Sequence, residues 1–514
     1  MKNRIFTVGL IGILLLSTVI APIMGYILPV HADPVTVLTP KWTRTGLTSN
    51  WEGGIVIGDV TGDGREDIVY GGNDNVYVLD GRDGATIATY HETRIGQYCQ
   101  PQLYDVDGDG VLDILVPLYY LPGLAAVQYD GDSTLRVMWV ANIQGSSGSG
   151  SVMAKPVAGD IDGDGDLDIF IASQDVSPLG GYDGTISKLD HNGNIVAQSF
   201  TWRACSGGLS LADTDNDGVF ELYQGDRQMS YRDGGYGKGL RSFWADNLTE
   251  RWSRLDFLSS SQSPVLADIN KDGVLDVLAG MYREMNVLNS TNGEWIYRWQ
   301  SSAMSVHYGF VVHDIDADGN LELLCSDGDH DNDPYIDIFD LTTGQLDAEL
   351  YLGHYTPTQP YDEKWGPLVA DIYDNGNNPD GTPRMEIITG ANTTRISTTG
   401  SRSYPAKLLI YDNQYNLLQN ITGLANQIGY PFVGDIDEDG LLELVVMQNN
   451  GVVRAYDTTK VAASGSQRIR SEVTYFGEKR LGVAEHTIMP WEPDYWTAPL
   501  VKLSAPADNA LAVP

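Results

Sequence analysis

The sequence predicts an all-β fold: an eight-bladed β-propeller of four-stranded blades whose N-terminal strand closes the last blade. Three observations predict it. A carboxylate-rich turn recurs eight times. Short β-rich runs bracket each copy, with no helical period between them. The eighth unit also lacks a strand that the stretch before the first unit can supply.

The turn is fullest in GDIDGDGDLDIFIAS, Gly159 to Ser173, where five carboxylates fall in nine residues ahead of an apolar run. Its template is D-x-D-x-D-G-x-x-[DE]. Copies begin at Asp59, Asp105, Asp160, Asp213, Asp268, Asp314 and Asp435, and a degenerate copy at Asp371 carries an insertion before Glu386. Neighbouring copies lie from 46 residues (Asp59 to Asp105) to 64 residues (Asp371 to Asp435) apart. That is the span of a propeller blade or somewhat above it. Each copy follows a run such as SPVLADI and precedes one such as LDVLAGM. A third run ends at a polar turn, as in VYVLDGRDG, and a fourth often ends in an aromatic, as in EWIYRW. β-branched and aromatic residues between Gly, Asn and Asp turns read as strands in hairpins. Four per unit, repeated radially, make a propeller.

The eighth unit offers PFVGDI, LELVVMQ and VVRAYD, then drifts into TTKVAASGSQ. The orphan piece VTVLTPKWTRTG, Val35 to Gly46, reads as its fourth strand with Trp42. Pairing the two shuts the ring and removes the edges an open ring leaves.

Carboxylates crowded into one turn repel one another unless a cation lies among them. Positions 1, 3, 5 and 9 of each loop offer side-chain oxygens, position 7 offers its carbonyl, and Gly at position 6 permits the sharp turn. Hard oxygen donors without His or Cys select Ca²⁺. The expected ligands of the first loop are Asp59, Thr61, Asp63, the carbonyl of Arg65, and Asp67; Thr61 replaces an acid there. The second has Asp105, Asp107, Asp109, Val111 and Asp113, and the third Asp160, Asp162, Asp164, Asp166 and Asp168. The fourth has Asp213, Asp215, Asp217, Val219 and Glu221, and the fifth Asp268, Asn270, Asp272, Val274 and Asp276. The sixth has Asp314, Asp316, Asp318, Asn320 and Glu322. In the seventh the insertion leaves Asp371, Asp374 and Glu386; the eighth has Asp435, Asp437, Asp439, Leu441 and Glu443. The expectation is about six to eight Ca²⁺ sites of this kind. The EF-hand shares the first half of the pattern but needs a bidentate Glu at position 12 between helices. Here position 12 is Tyr70, Val116 or Ile171, inside a strand, so the loop is a calcium-stapled β-turn. A further acidic stretch, SDGDHDNDP from Ser326 to Pro334, reads equally as a ninth site or a solvated insertion.

The net charge of −37 argues against nucleic acid or an anionic membrane surface as partner. With 42% hydrophobic and 10% aromatic residues the chain is not disordered, so the excess acid sits on a folded surface. The three cysteines, Cys99, Cys205 and Cys325, cannot all pair within the chain and do not make a disulfide scaffold. Lys2 and Arg4 precede an uncharged stretch from Ile5 to Val30, and VHADP resembles a cleavage site at Ala32. Residues 1–32 therefore read as a cleaved signal peptide or a retained membrane anchor. Either way the rest is exported, to the cell surface or beyond it. Residues 33–465 form the propeller. Residues 466–514 are too aromatic for a linker at first and fray at SAPADNALAVP; they read as an extension packing on the propeller. Sequons at Asn247, Asn289, Asn392 and Asn420 are compatible with glycosylation.

On the eight loops quoted above, the sequence resembles FG-GAP or VCBS-type repeat propellers, which include the calcium-bearing blades of integrin α-chain head domains and their bacterial and archaeal relatives. The resemblance spans roughly residues 35–465. It implies the propeller fold, calcium in the loops joining first and second strands, and a secreted or cell-surface setting. Eight copies rather than the integrins' seven mean that no integrin partner is carried over.

In that family partners usually dock on the opposite face, at the fourth-to-first-strand connections. Here these concentrate Arg94, Tyr98, Trp202, Arg203, His307, Tyr308, Lys364, Trp365 and Tyr430. Aromatics with a few cations in a concave mouth suit an extracellular glycan or protein ligand; the same residues also suit propeller core. Three functions compete: an adhesion or ligand-binding module, a calcium-dependent polysaccharide lyase, and a quinone-dependent dehydrogenase. The last is suggested by turns such as VLDGRDG and FDLTTG with a following Trp. No nucleophile elbow, HExxH or transition-metal cluster supports an enzyme.

Overall fold

A computed structural model of the chain describes residues 38–461, except 51–53, 97–98, 144–149, 153–154, 177–181, 202–207, 226–237, 259–262, 282–283, 302–303, 328–334, 354–360, 363–366, 380, 394, 397–401, 404–405, 425–427 and 430. These residues form eight antiparallel blades and, among them, no helix. Blade 1 shows the plan: Ile55–Gly58, Asp67–Gly72, Asn75–Asp80 and Thr86–His91, each paired with the next. Blade 2 begins at Gln102–Tyr104, blade 4 at Leu209–Ala212, blade 5 at Val265–Ala267 and blade 6 at Met304–His313. Blades 3 and 7 begin at Val157–Gly159 and Leu368–Ala370, and each gains a two-residue strand beside its second strand. The N-terminal segment 1–32, residues 328–334 of the further acidic stretch and the extension 466–514 lie outside the described residues.

Burial decreases outward along each blade. Second strands such as Asp67–Gly72 and Asp113–Leu118 are buried throughout, because both faces lie against neighbouring blades. They read as continuous apolar runs for the same reason. Fourth strands such as Trp295–Gln300 alternate towards solvent. The core lies between the faces of adjacent blades, as between Val69 and Val78 of blade 1 and Ile114 and Val127 of blade 2. Cys99 and Cys325 are buried.

The ring closes as the sequence predicts. Pro40–Arg44 is the outer strand of blade 8, in the order Pro40–Arg44, Val452–Val461, Leu441–Gln448, Phe432–Gly434. Its partners include Trp42↔Ala455 and Arg44↔Val453, with a register shift between Pro40 and Trp42. Trp42 also docks on blade 1. Its Nε1 donates to the Gly81 carbonyl at 2.8 Å, and a Cβ on Gly84 would fall 2.7 Å from its ring. The device repeats. Trp139 donates to the His191 carbonyl at 2.9 Å over Gly193, and Trp252 to the Ser290 carbonyl at 2.8 Å over Gly293. The tryptophan, expected at the end of a fourth strand, lies within it instead, in Pro40–Arg44, Arg136–Asn142 and Glu250–Leu258, and clamps the next blade's outer turn, where only glycine leaves room for it.

Candidate metal centres

Each acidic loop joins the first strand of a blade to the second. Position 9 faces the last residue of the first strand: Gly58↔Asp67, Tyr104↔Asp113, Ala212↔Glu221, Ala267↔Asp276, His313↔Glu322 and Gly434↔Glu443. One oxygen of the position-9 carboxylate accepts from the amide of position 2: Val106 to Asp113 at 2.9 Å, Thr214 to Glu221 at 3.0 Å, Ile269 to Asp276 at 3.1 Å, Ile315 to Glu322 at 2.8 Å. The degenerate seventh loop keeps this bond, from Ile372 to Glu386 at 2.8 Å, despite its insertion. Position 1 accepts from the Gly at position 6: Gly110 to Asp105 at 2.8 Å, Gly273 to Asp268 at 2.8 Å, Gly319 to Asp314 at 2.9 Å. Position 5 accepts from the amide of position 7, as from Val111 to Asp109 at 2.8 Å and from Asn320 to Asp318 at 2.7 Å.

The backbone therefore holds one oxygen of position-9 acids such as Asp113 and Glu322, while position 1 accepts on both oxygens in several loops, Asp268 from Asp272 and Gly273 and Asp314 from Asp318 and Gly319. Asp113 and Asp276 each keep a second oxygen, Oδ1, buried with no hydrogen-bond donor among the described residues. Carboxylate atoms converge to within 4.8 Å of one another in five loops: Asp105, Asp107, Asp113; Asp160, Asp162, Asp164; Asp213, Asp215, Glu221; Asp314, Asp316, Glu322; and Asp435, Asp437, Glu443. In the fifth loop Asn270 brings an amide in place of the position-3 acid, and in the first Thr61 does the same with a hydroxyl. Burial pushes the carboxyls of Asp67, Asp113, Glu221 and Asp276 up to about 7. The same cause takes Glu443 to about 8 and Glu322 to about 9, and holds Glu386 well above the ordinary range. Each such group needs a proton or a cation. An all-oxygen set with two or three carboxylates suits a hard divalent ion.

The turn has a feature that sequence reasoning missed. Position 4 is left-handed as well as the Gly at position 6. Gly62, Gly108 and Gly163 take φ of 69°, 74° and 77° there, but so do Asn216 at 62°, Lys271 at 60°, Ala317 at 61° and Glu438 at 61°. A left-handed residue with a Cβ costs about 1–2 kcal/mol; glycine relieves that strain but gives part of the gain back through its freer unfolded state. Ala317→Gly should therefore raise stability by up to about 1 kcal/mol in denaturant melts; a loss would show the sixth loop to be held otherwise.

The predicted ligand-binding residues are less fully placed. Arg94 lies after the last strand of blade 1. Its Nη2 is 3.0 Å from Glu92 Oε2, and its Nη1 donates to Asn142 Oδ1 at 3.2 Å. His307 and Tyr308 fall within the strand Met304–His313. Tyr98, Trp202, Arg203, Lys364, Trp365 and Tyr430 lie outside the described residues.

Blade count, closure and acidic loops together define the class, a β-propeller with an acidic loop at the same place in each blade. Residues 43–116 match the FG-GAP-like repeat, from the closing strand through blade 1 into the second strand of blade 2. The chain is an eight-bladed β-propeller in which that one stretch matches the FG-GAP-like repeat. No curated protein matches its sequence. Among solved structures it is similar to the quinohemoprotein alcohol dehydrogenase of Comamonas testosteroni, at 13% identity and a TM-score of 0.54 over 83% of this chain and 78% of that one. It is also similar to a europium-containing methanol dehydrogenase, at 13% identity and a TM-score of 0.51 over 80% and 84%. At such identity the likeness is one of fold.

Proposed function

We propose that the chain is an exported or cell-surface calcium-binding propeller that acts as an adhesion or ligand-binding module for a glycan or protein. One observation carries the calcium reading. Loop after loop pins a buried position-9 carboxylate by one oxygen and turns the other towards further acids. Asp59, Asp105, Asp160, Asp213, Asp268 and Asp314, with their partners at positions 3, 5 and 9, would hold the ions, which staple the turns. The module reading rests on the resemblance to surface propellers, on the N-terminal targeting segment, and on the absence from the sequence of the enzyme motifs sought.

The test begins with the metal alone. Metal-free chain from residue 33 on is titrated with CaCl₂ and with MgCl₂, and bound ions are counted by mass. Several Ca²⁺ per chain are expected, falling by one in Asp316→Asn/Glu322→Gln; a count of zero ends the reading. An array of neutral and acidic glycans then probes the opposite face. Arg203→Ala/Trp365→Ala should abolish any binding and keep the melting temperature, because hot spots concentrate in aromatics and Arg. Asp162→Ala/Asp164→Ala should lower the melting temperature first. Binding lost from the loop variant at normal stability would place the ligand on the ions themselves.

A further inference from the structure

The closing strand brings a cation of its own. Lys41 stands at the register shift between Pro40 and Trp42. Its Nζ lies 2.6 Å from Asp437 Oδ2, 3.0 Å from Glu443 Oε1 and 3.7 Å from Asp439 Oδ2. Those are positions 3, 9 and 5 of the eighth loop. A fourth carboxylate, Asp457 within the blade's third strand, is 2.9 Å away. Glu443 keeps its other oxygen on the Ile436 amide at 3.0 Å, as the position-9 acids of the other loops do. The ammonium thus sits among the very oxygens that would otherwise surround an ion. Its side chain is 16% exposed and that of Glu443 0%.

The neighbouring loop is treated alike. The strand Val452–Val461 runs on past Asp457, where the other blades turn into a fourth strand. It reaches the seventh loop, where Thr459 donates its amide to the Ile372 carbonyl at 3.3 Å and accepts from the Asp374 amide at 3.2 Å on its hydroxyl. Lys460 then forms an ion pair with Asp371, position 1 of that loop. The third loop shows what a bystander lysine looks like. Lys188 lies 3.1 Å from Asp168, position 9 of that loop, and donates also to the Asp246 carbonyl at 3.3 Å. Asp168 is not among the acids that converge there, Asp160, Asp162 and Asp164, whereas Asp437 and Glu443, which Lys41 holds, are two of the three that converge in the eighth loop.

A divalent ion and an ammonium cannot share one cluster of oxygens, since both need the same lone pairs and they repel each other. We propose that Lys41 is the resident cation of the eighth loop and Lys460 that of the seventh, so that the two blades at the seam take no divalent ion and the ring is locked by its own lysines. The proposal deepens the calcium reading and rests on it only for the ion count.

The test counts Ca²⁺ per full chain by native mass spectrometry. Asp437→Asn/Glu443→Gln and Asp371→Asn should leave the count unchanged. Lys41→Met should raise it by one, through a vacated eighth loop. An ion lost in either acid variant while both lysines are present overturns the proposal. Melting in excess chelator supplies a second measurement. Lys41→Met and Asp437→Asn should each lower the melting temperature, and the double variant should lower it little further, because each removes the same contact. Additive losses overturn the lock. A wild-type count of zero would sink the calcium reading, and the chelator melts would still decide the fate of the lysine lock.

Discussion

Chelating calcium at pH 8 should lower the melting temperature by about 10 °C or more, and re-adding calcium should restore it. A ligand that binds only the folded state at 100 times its dissociation constant adds about 2.7 kcal/mol per site. Several loops each holding an ion would therefore dominate the stability. The sign of the pH dependence separates this from a general salt effect. Burial raises the position-9 carboxyls to about 7 in Asp113 and Asp276 and to about 9 in Glu322, against about 4 when unfolded. A folded state that holds its protons more tightly than the unfolded chain loses stability as pH rises. The metal-free protein should therefore weaken steadily from about pH 4 to about pH 9, while the calcium-loaded protein should be nearly flat above neutrality. Calcium-free melting that does not change over that range would show the loops to be satisfied in some other way.

Removing residues 33–46 should leave a chain that aggregates or is cut by trace protease. The deletion strips the outer strand from blade 8 and bares the backbone of Val453 and Ala455. It removes Trp42 from the cluster that also contains Leu79 and Val453, and with it the clamp on Gly84. An unpaired strand between apolar faces templates association. Trp42→Ala alone should cost about 3–5 kcal/mol, as large-to-small changes at buried aromatics do. A synthetic peptide of residues 35–46, added in trans, should slow proteolysis of the shortened chain by adding back the strand. A truncated chain that stays monomeric and resistant would show that blade 8 closes without it.

Much of the fold was legible because its signals are local. Four β-runs and a polar turn per unit lie within one window, and the orphan strand shows itself by arithmetic. The acids of positions 1, 3, 5 and 9 could be read because their spacing is rigid. Lys41 could not, since it meets Glu443 across 402 residues and no pattern near it marks the contact. Nor could the left-handed position 4, which carries Gly or Asn in some loops but Lys271, Ala317 and Glu438 in others. There the anchored carboxylates force the backbone and local propensity gives way. The tryptophans were legible as fourth-strand residues, though not as lying inside those strands, and not as clamps, because the glycine each covers belongs to the next blade. That contact also gives the turns followed by Trp a role in holding blades together.

The closing strand also imposes an order on biosynthesis. Pro40–Arg44 leaves the ribosome before any other described strand, yet its partner Val452–Val461 is among the last. Seven blades can condense one on another as the polypeptide lengthens, while this segment waits unpaired. Bringing its ends together over so long a loop is a slow, entropically opposed step. Any product truncated before Val452 never finds its mate and stays open to degradation. Circular closure thus works as a proof of full length: only a polypeptide read through its eighth repeat can hide both of its edges.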